Sequence, residues 1–282
     1  MKQRTTLTNL PSELVQSIFN NLDPTQALKF RRLCKYIHRC VSDPFFIWTN
    51  MIRFVDVTEI MHQSKNRLWL NGTLSPYNIN WFQWPETHQC IYAYTRFRNV
   101  QRILWSGCGI LGSIPSAIGF LDQLQWLDLE NNGLEGPIPR EIGCLVNLVE
   151  FTVSRNRLTG SIPNEIGYLV KLKVLSVHHN ELSGGIPDEI GLCVELEYLA
   201  AGFNALTGSI PATIGHLQKL QVLALENNQL NGSIPREISN LVSLCYLTLE
   251  MNCFVGTIPR QELDSLKRLR VVLLDGNQFS NV

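Results

Sequence analysis

Leu124-Gln125-Trp126-Leu127-Asp128-Leu129-Glu130-Asn131-Asn132 is one copy of a phrase that returns from Leu148 to Asn156, Leu172 to Asn180, Leu196 to Asn204, Leu220 to Asn228 and Leu244 to Asn252. Each closing asparagine lies 24 residues after the last, and Asn277 follows after a step of 25. Cys108 holds the same phase one copy earlier. A second phrase runs in step, as Gly136-Pro137-Ile138-Pro139, Gly160-Ser161-Ile162-Pro163, Gly208-Ser209-Ile210-Pro211 and Gly232-Ser233-Ile234-Pro235. One such unit cannot bury its own leucines, whereas stacked units share a continuous core, so a fixed period of this length predicts a solenoid. Leu127 and Leu129 alternate inward on a short strand, and Asp128 and Glu130 point outward. The recurring asparagine sits where the chain leaves the strand. Its amide can satisfy buried backbone groups of its own coil and the next, each worth about 1–3 kcal/mol if left unpaired.

The L-x-x-L-x-L-x-x-N/C-x-L core with an L-x-G-x-I-P-x-x-I-G-x-L half resembles the plant-specific class of leucine-rich repeats over residues 100–282. That resemblance implies an α/β leucine-rich-repeat solenoid of about seven to eight repeats, with a curved parallel sheet on its concave side and the G-x-I-P halves on its convex side.

In front of the repeats, residues 7–52 read as three short amphipathic helices. Leu10, Leu14, Val15, Ile18, Phe19 and Leu22 recur at helical spacing, and Pro11 suits a first turn. Asp23-Pro24-Thr25-Gln26 and Ser42-Asp43-Pro44 are start signals for two further helices. Leu10-Pro11-Ser12-Glu13-Leu14, Ile18-Phe19, Leu22-Asp23-Pro24, Arg32-Leu33-Cys34-Lys35 and Trp48 together resemble the F-box. Phe45-Phe46-Ile47 places three residues between Pro44 and Trp48, where that family commonly has two. The resemblance implies docking on the Skp-type adaptor of a Skp–cullin–F-box ubiquitin ligase. Leu10, Pro11, Glu13, Leu14, Ile18 and Leu22 would then face the adaptor. Leu14, Ile18 and Leu22 serve equally well as the bundle's own core, while Leu10 and Pro11 at its edge favour docking.

Residues 53–99 show no repeat and are rich in aromatics, among them Trp69, Trp81, Phe82, Trp84 and Phe97. A solenoid exposes apolar core at its ends, so this stretch is expected to link the F-box to the first repeat and cap it. The rival use of its aromatics is ligand binding.

The 282-residue chain carries 24 basic and 24 acidic residues, which leaves no electrostatic footprint for nucleic acid or an anionic membrane. No run approaches the ~20 apolar residues of a membrane span, and no signal-peptide core opens the chain. The eight scattered cysteines read as reduced. An intracellular protein, of cytoplasm, nucleus or both, is expected. The sequons Asn71-Gly72-Thr73 and Asn231-Gly232-Ser233 are what an extracellular reading would use.

Catalytic and metal sites are not expected. Gly107-Cys108-Gly109-Ile110-Leu111-Gly112 fits G-x-G-x-x-G, but its residues stand in repeat phase rather than between a strand and a helix. His178 and His179 are adjacent, so their rings should point to opposite sides, and no third ligand stands in phase. No cofactor is implied. Recognition would fall to the concave face, for a protein target, at Trp126, Asp128, Glu130, Glu150, Arg155, His178, Tyr198, Phe203, Glu226, Tyr246, Glu250 and Asp275. Two features are expected there. Large aromatics flank a shallow trough over Ala200, Gly202 and Ala224. Glu226, Glu250 and Asp275 stack on strands ~4.8 Å apart and call for something basic above them. A target segment with a basic and an apolar part fits both. The alternatives are an intracellular repeat scaffold without ligase function and an extracellular receptor fragment.

Overall fold

The computed structural model describes Trp81, Phe82, Gln83, Gln89, Ala93, Phe97 and residues 100–280. The proposed adaptor-facing residues Leu10, Pro11, Glu13, Leu14, Ile18 and Leu22 lie outside the described residues.

Eight three-residue strands form one parallel sheet in sequence order: Arg102–Leu104, Trp126–Asp128, Glu150–Thr152, Val174–Ser176, Tyr198–Ala200, Val222–Ala224, Tyr246–Thr248 and Val271–Leu273. Registers are unstaggered, so Trp126 pairs with Glu150 and Tyr198 with Val222. Smaller parallel sheets line the second half of each repeat. A 3-10 turn follows most G-x-I-P units, as at Arg140–Cys144 and Arg236–Asn240.

Strand leucines such as Leu127, Leu175 and Leu223 join the turn isoleucines Ile142, Ile190 and Ile238 in one continuous buried core. Phe82, Ala93 and Phe97 belong to the same core, and the Phe82 and Phe97 rings lie 6.1 and 5.8 Å from that of Trp105 in the first repeat. The backbones also approach closely here. Gly112, at φ 98°, has no room for a Cβ, which would stand 2.8 Å from the Phe82 carbonyl oxygen.

The asparagine ladder differs in direction from the sequence reading. Asn132 Nδ2 donates to Leu129 O in its own coil at 2.9 Å and to Trp105 O in the coil before at 2.8 Å. Its Oδ1 accepts from Ile110 N, again in the coil before. The same bonds recur at Asn156, Asn180, Asn204, Asn228, Asn252 and Asn277. Each amide therefore bridges back to the preceding coil, because the chain turns off the strand directly over the backbone it has just stacked upon.

Candidate functional site

Parallel register sets the candidate concave-face residues side by side. The first column runs Arg102, Trp126, Glu150, Val174, Tyr198, Val222, Tyr246 and Val271 through successive paired strands. The next outward-facing positions stay joined by backbone bonds, such as Asn131 N to Ser154 O and Phe203 N to Glu226 O.

At the N-terminal end both arginines have partners. The Arg102 guanidinium lies 4.0 Å above the Trp126 ring, so this indole is covered on one face rather than open as an anchor. Glu130 pairs with Arg155 at 3.6 Å, and Asp128 accepts from the Glu130 amide. Burial, followed by the Asp128 charge, pushes the Glu150 carboxyl above its ordinary value.

The centre is a polar knot. Ser154 and Ser176 are buried and bond each other at 2.8 Å, and both contact His178 Nδ1, at 2.8 and 3.0 Å. Burial first, then the neighbouring His179, lowers the His178 pKa. These serines were missed by the sequence reading, although both stand in phase beside the predicted His178. The arrangement puts hydroxyls next to an imidazole, yet Ser154 is fully buried and out of reach of any substrate carbonyl. It organises the surface rather than reacting.

The two histidine rings do not diverge. Their centroids are 5.3 Å apart, because His179 takes a left-handed backbone, at φ 51°, that swings its ring back toward His178. His179 then stacks on Phe203 at 4.2 Å. Among the described residues no three His, Cys, Asp or Glu side chains form a metal cluster.

The same left-handed conformation occurs at Asn131, Arg155, His179, Phe203, Asn227 and Met251, and at Gly107 and Gly276 in the end repeats. Glycine and asparagine adopt it readily; other residues lose roughly 1–2 kcal/mol. Arg155, His179, Phe203 and Met251 are held there with their side chains exposed.

Over the C-terminal repeats the acid stack is looser than expected. Thr248 Oγ1 donates to Glu226 at 2.7 Å, and the Glu226 carboxylate leans over Gly202, where a Cβ would meet it at 2.6 Å. Glu226 thus leaves the line of Glu250 and Asp275 and partly fills the trough over Ala200 and Gly202, both of which are buried. Its charge is relieved by a hydroxyl rather than by a basic group. Burial and the nearby Glu226 raise the Tyr198 phenol pKa. Tyr246 and Met251 remain open beside Glu250 and Asp275, with Met251 57% exposed.

Comparison with known proteins places both halves. Residues 7–53 match the F-box-like family, and residues 123–145, 147–169, 171–193 and 219–241 match Leucine Rich Repeat units. The chain is an F-box-like domain followed by leucine-rich repeats. No curated protein sequence matches the chain.

This F-box-like, leucine-rich-repeat chain is similar in structure to the leucine-rich-repeat ectodomain of the receptor kinase GASSHO1/SCHENGEN3 from Arabidopsis thaliana, solved with CASPARIAN STRIP INTEGRITY FACTOR 2. Identity there is 38% and the TM-score 0.59, over 60% of this chain and 20% of that one. The plant peptide hormone receptor RGFR1, in complex with RGF2, is 31% identical with a TM-score of 0.62, over 70% of this chain and 34% of that one. The Leptospira interrogans protein LIC12759 is 27% identical with a TM-score of 0.53, over 67% and 58%. The chain thus spans a fifth to a third of the length of the plant receptors it resembles.

Proposed function

We propose that this protein is the substrate-recognition subunit of a Skp–cullin–F-box ubiquitin ligase. The order of its modules carries the reading: an F-box-like segment at residues 7–53, then a repeat surface. F-box/leucine-rich-repeat proteins are non-catalytic adaptors. Leu10, Pro11, Glu13, Leu14, Ile18 and Leu22 hold the Skp-type adaptor, and the concave face holds the target. The protein supplies proximity, raising the effective concentration of the target at catalytic subunits in the cytoplasm, the nucleus or both.

The geometry supports a specific use of the concave face. Arg155, Phe203 and Met251 occupy strained, exposed positions where Gly107, Gly276, Asn131 and Asn227 show the inexpensive alternatives. Strained residues that fill no core are characteristic of binding sites. Both arginines near Trp126 already have partners, and exposed apolar and acidic groups gather around Phe203, Tyr246, Glu250, Met251 and Asp275. An extended target segment with an apolar part on Phe203, Tyr246 and Met251 and a basic part on Glu250 and Asp275 fits them. Similar solenoids solved with peptide hormones support a repeat surface that accepts a peptide.

The test is binding of the full chain to a purified Skp-type adaptor, beside a Leu10→Ala/Pro11→Ala variant. Tight binding that falls about tenfold or more in the variant is expected. A folded wild-type chain that does not bind the adaptor would overturn the ligase reading and leave an interaction scaffold.

A further inference from the structure

A second surface lies on the edge where each coil returns from its 3-10 turn to its strand. This is the opposite strand end from Phe203 and Met251. Phe120, Val146, Tyr168, Val170, Leu192 and Val194 are all exposed there, with Tyr168 63% exposed and Leu192 52%. Phe120, Tyr168 and Leu192 share one repeat phase; the valines share the phase two residues on. Cys144, also exposed, completes the first row. Folding does not demand apolar groups at these positions. The fifth repeat carries His216 and Gln218 in the same phases, and its neighbouring core is just as well buried. The stripe is therefore an added property, continuous through the first four repeats and broken at the fifth; the sixth carries one exposed apolar group in these phases, Val242, beside Asn240.

Its two flanks differ. On the strand side, polar groups satisfy one another across coils. Asn147 donates to Asp122 O, Lys171 donates to Asn147 Oδ1 at 2.8 Å, and Lys219 pairs with Glu195 at 2.6 Å. On the turn side runs a column of acids, Glu141, Glu165 and Glu189, one per coil. This column abuts the stripe directly: the space beside Gly143 is shared by Glu165 Cβ and Tyr168 Cδ2. The ion pairs formed among the described residues leave these three glutamates out.

We infer that this edge docks an amphipathic α-helix of a partner protein, its apolar face on the stripe and one basic flank along the glutamates. Two observations select that occupant. The acid column is continuous on one flank and balanced charges lie on the other, so a complementary partner is basic on one side only. The rows of the stripe also recur at the ~4.8 Å spacing of neighbouring strands, close to the ~5.4 Å pitch of an α-helix. A helix laid along the solenoid axis therefore sets an i, i+3/i+4, i+7 side-chain row against successive coils. The inference stands apart from the ligase reading, since neither the adaptor-facing residues nor the concave face is used.

The experiment titrates the full chain against a labelled helical peptide of about 18 residues, with leucines at helical spacing and lysines along one flank, followed by fluorescence anisotropy. A matched peptide carries glutamates in place of the lysines. Binding of the lysine peptide is expected, at least about tenfold tighter than that of the glutamate peptide, and lost in Tyr168→Asp/Leu192→Asp. Both of those side chains are exposed, so adaptor binding and thermal stability should stay unchanged. Glu165→Gln/Glu189→Gln should weaken only the lysine peptide. Equal binding of both peptides, or binding by the Asp variant equal to wild type, would overturn the inference. So would self-association of the wild-type chain in sedimentation that the Asp variant abolishes, because the stripe would then be an interface between two copies.

Discussion

Burial favours the uncharged form of both His178 and Cys193, and so shifts a base down and an acid up. His178 is held neutral mainly by burial, with His179 and Arg155 adding to the effect and Glu130 and Glu226 opposing it. Its folded pKa lies below the unfolded value of 6.5, so the unfolded chain takes up the proton more readily. The stabilisation is fully present above about pH 6.5 and is lost as the pH falls through the folded value. Urea midpoints should therefore decline on acidification from neutral pH, and part of that decline should vanish in His178→Gln. A ring-proton titration with its midpoint at or above the free-histidine value would contradict this. Cys193 takes the place of a core leucine, and burial pushes its thiol up to about 12. Cys144 is exposed on the edge stripe. Iodoacetamide on the native protein should label Cys144 and spare Cys193, since the thiolate is the reactive form; peptide mass spectrometry reads the ratio.

Single elements follow the repeat until the seventh coil, where the chain carries one extra residue between Asn252 and Asn277. The extra residue goes into the turn. In the sixth coil Ile238 N reaches Pro235 O, three residues back; in the seventh Leu263 N reaches Pro259 O, four back. A 3-10 turn has become the α-helix Arg260–Asp264, and Leu263 and Leu266 still point into the core. The tighter helix needs three residues per turn and the α-helix 3.6, so the surplus is absorbed without moving the sheet. Deleting Gln261 should therefore restore the tighter turn at a cost within about 1 kcal/mol. Inserting one alanine after Leu247 should unfold the C-terminal coils instead, because a one-residue slip in a strand exchanges its inner and outer faces. Circular dichroism melts of the two variants distinguish the cases.

At the scale of the whole molecule, the period alone displayed the sheet, its order and the inward leucines, because every coil repeats the same local conflict between leucine and water. The candidate site was legible only as columns. Which residues share a column follows from the period, but where each side chain goes depends on contacts between columns. Glu226 turns to Thr248 and Arg102 covers Trp126. The left-handed column carried a sequence signal that went unread: Gly107, Asn131, Asn227 and Gly276 occupy half its positions. Coils touch only their neighbours, so damage to one should partition the molecule. Leu199→Ala, fully inside the fifth coil, should remove about 3 kcal/mol and split a single unfolding transition into two. Hydrogen exchange should then show the coils before and after Leu199 opening at different denaturant concentrations.

The unstaggered sheet has one more consequence, for the history of the chain. Because each asparagine bridges back over an identical span, a gene that gains or loses one 24-residue unit still encodes closed coils on both sides of the junction. The distance from the N-terminal domain to any recognition surface would then change in discrete steps of about 4.8 Å, the spacing of one strand. The architecture is a ruler that duplication and deletion can lengthen or shorten by whole divisions, with the chemistry of every remaining division intact.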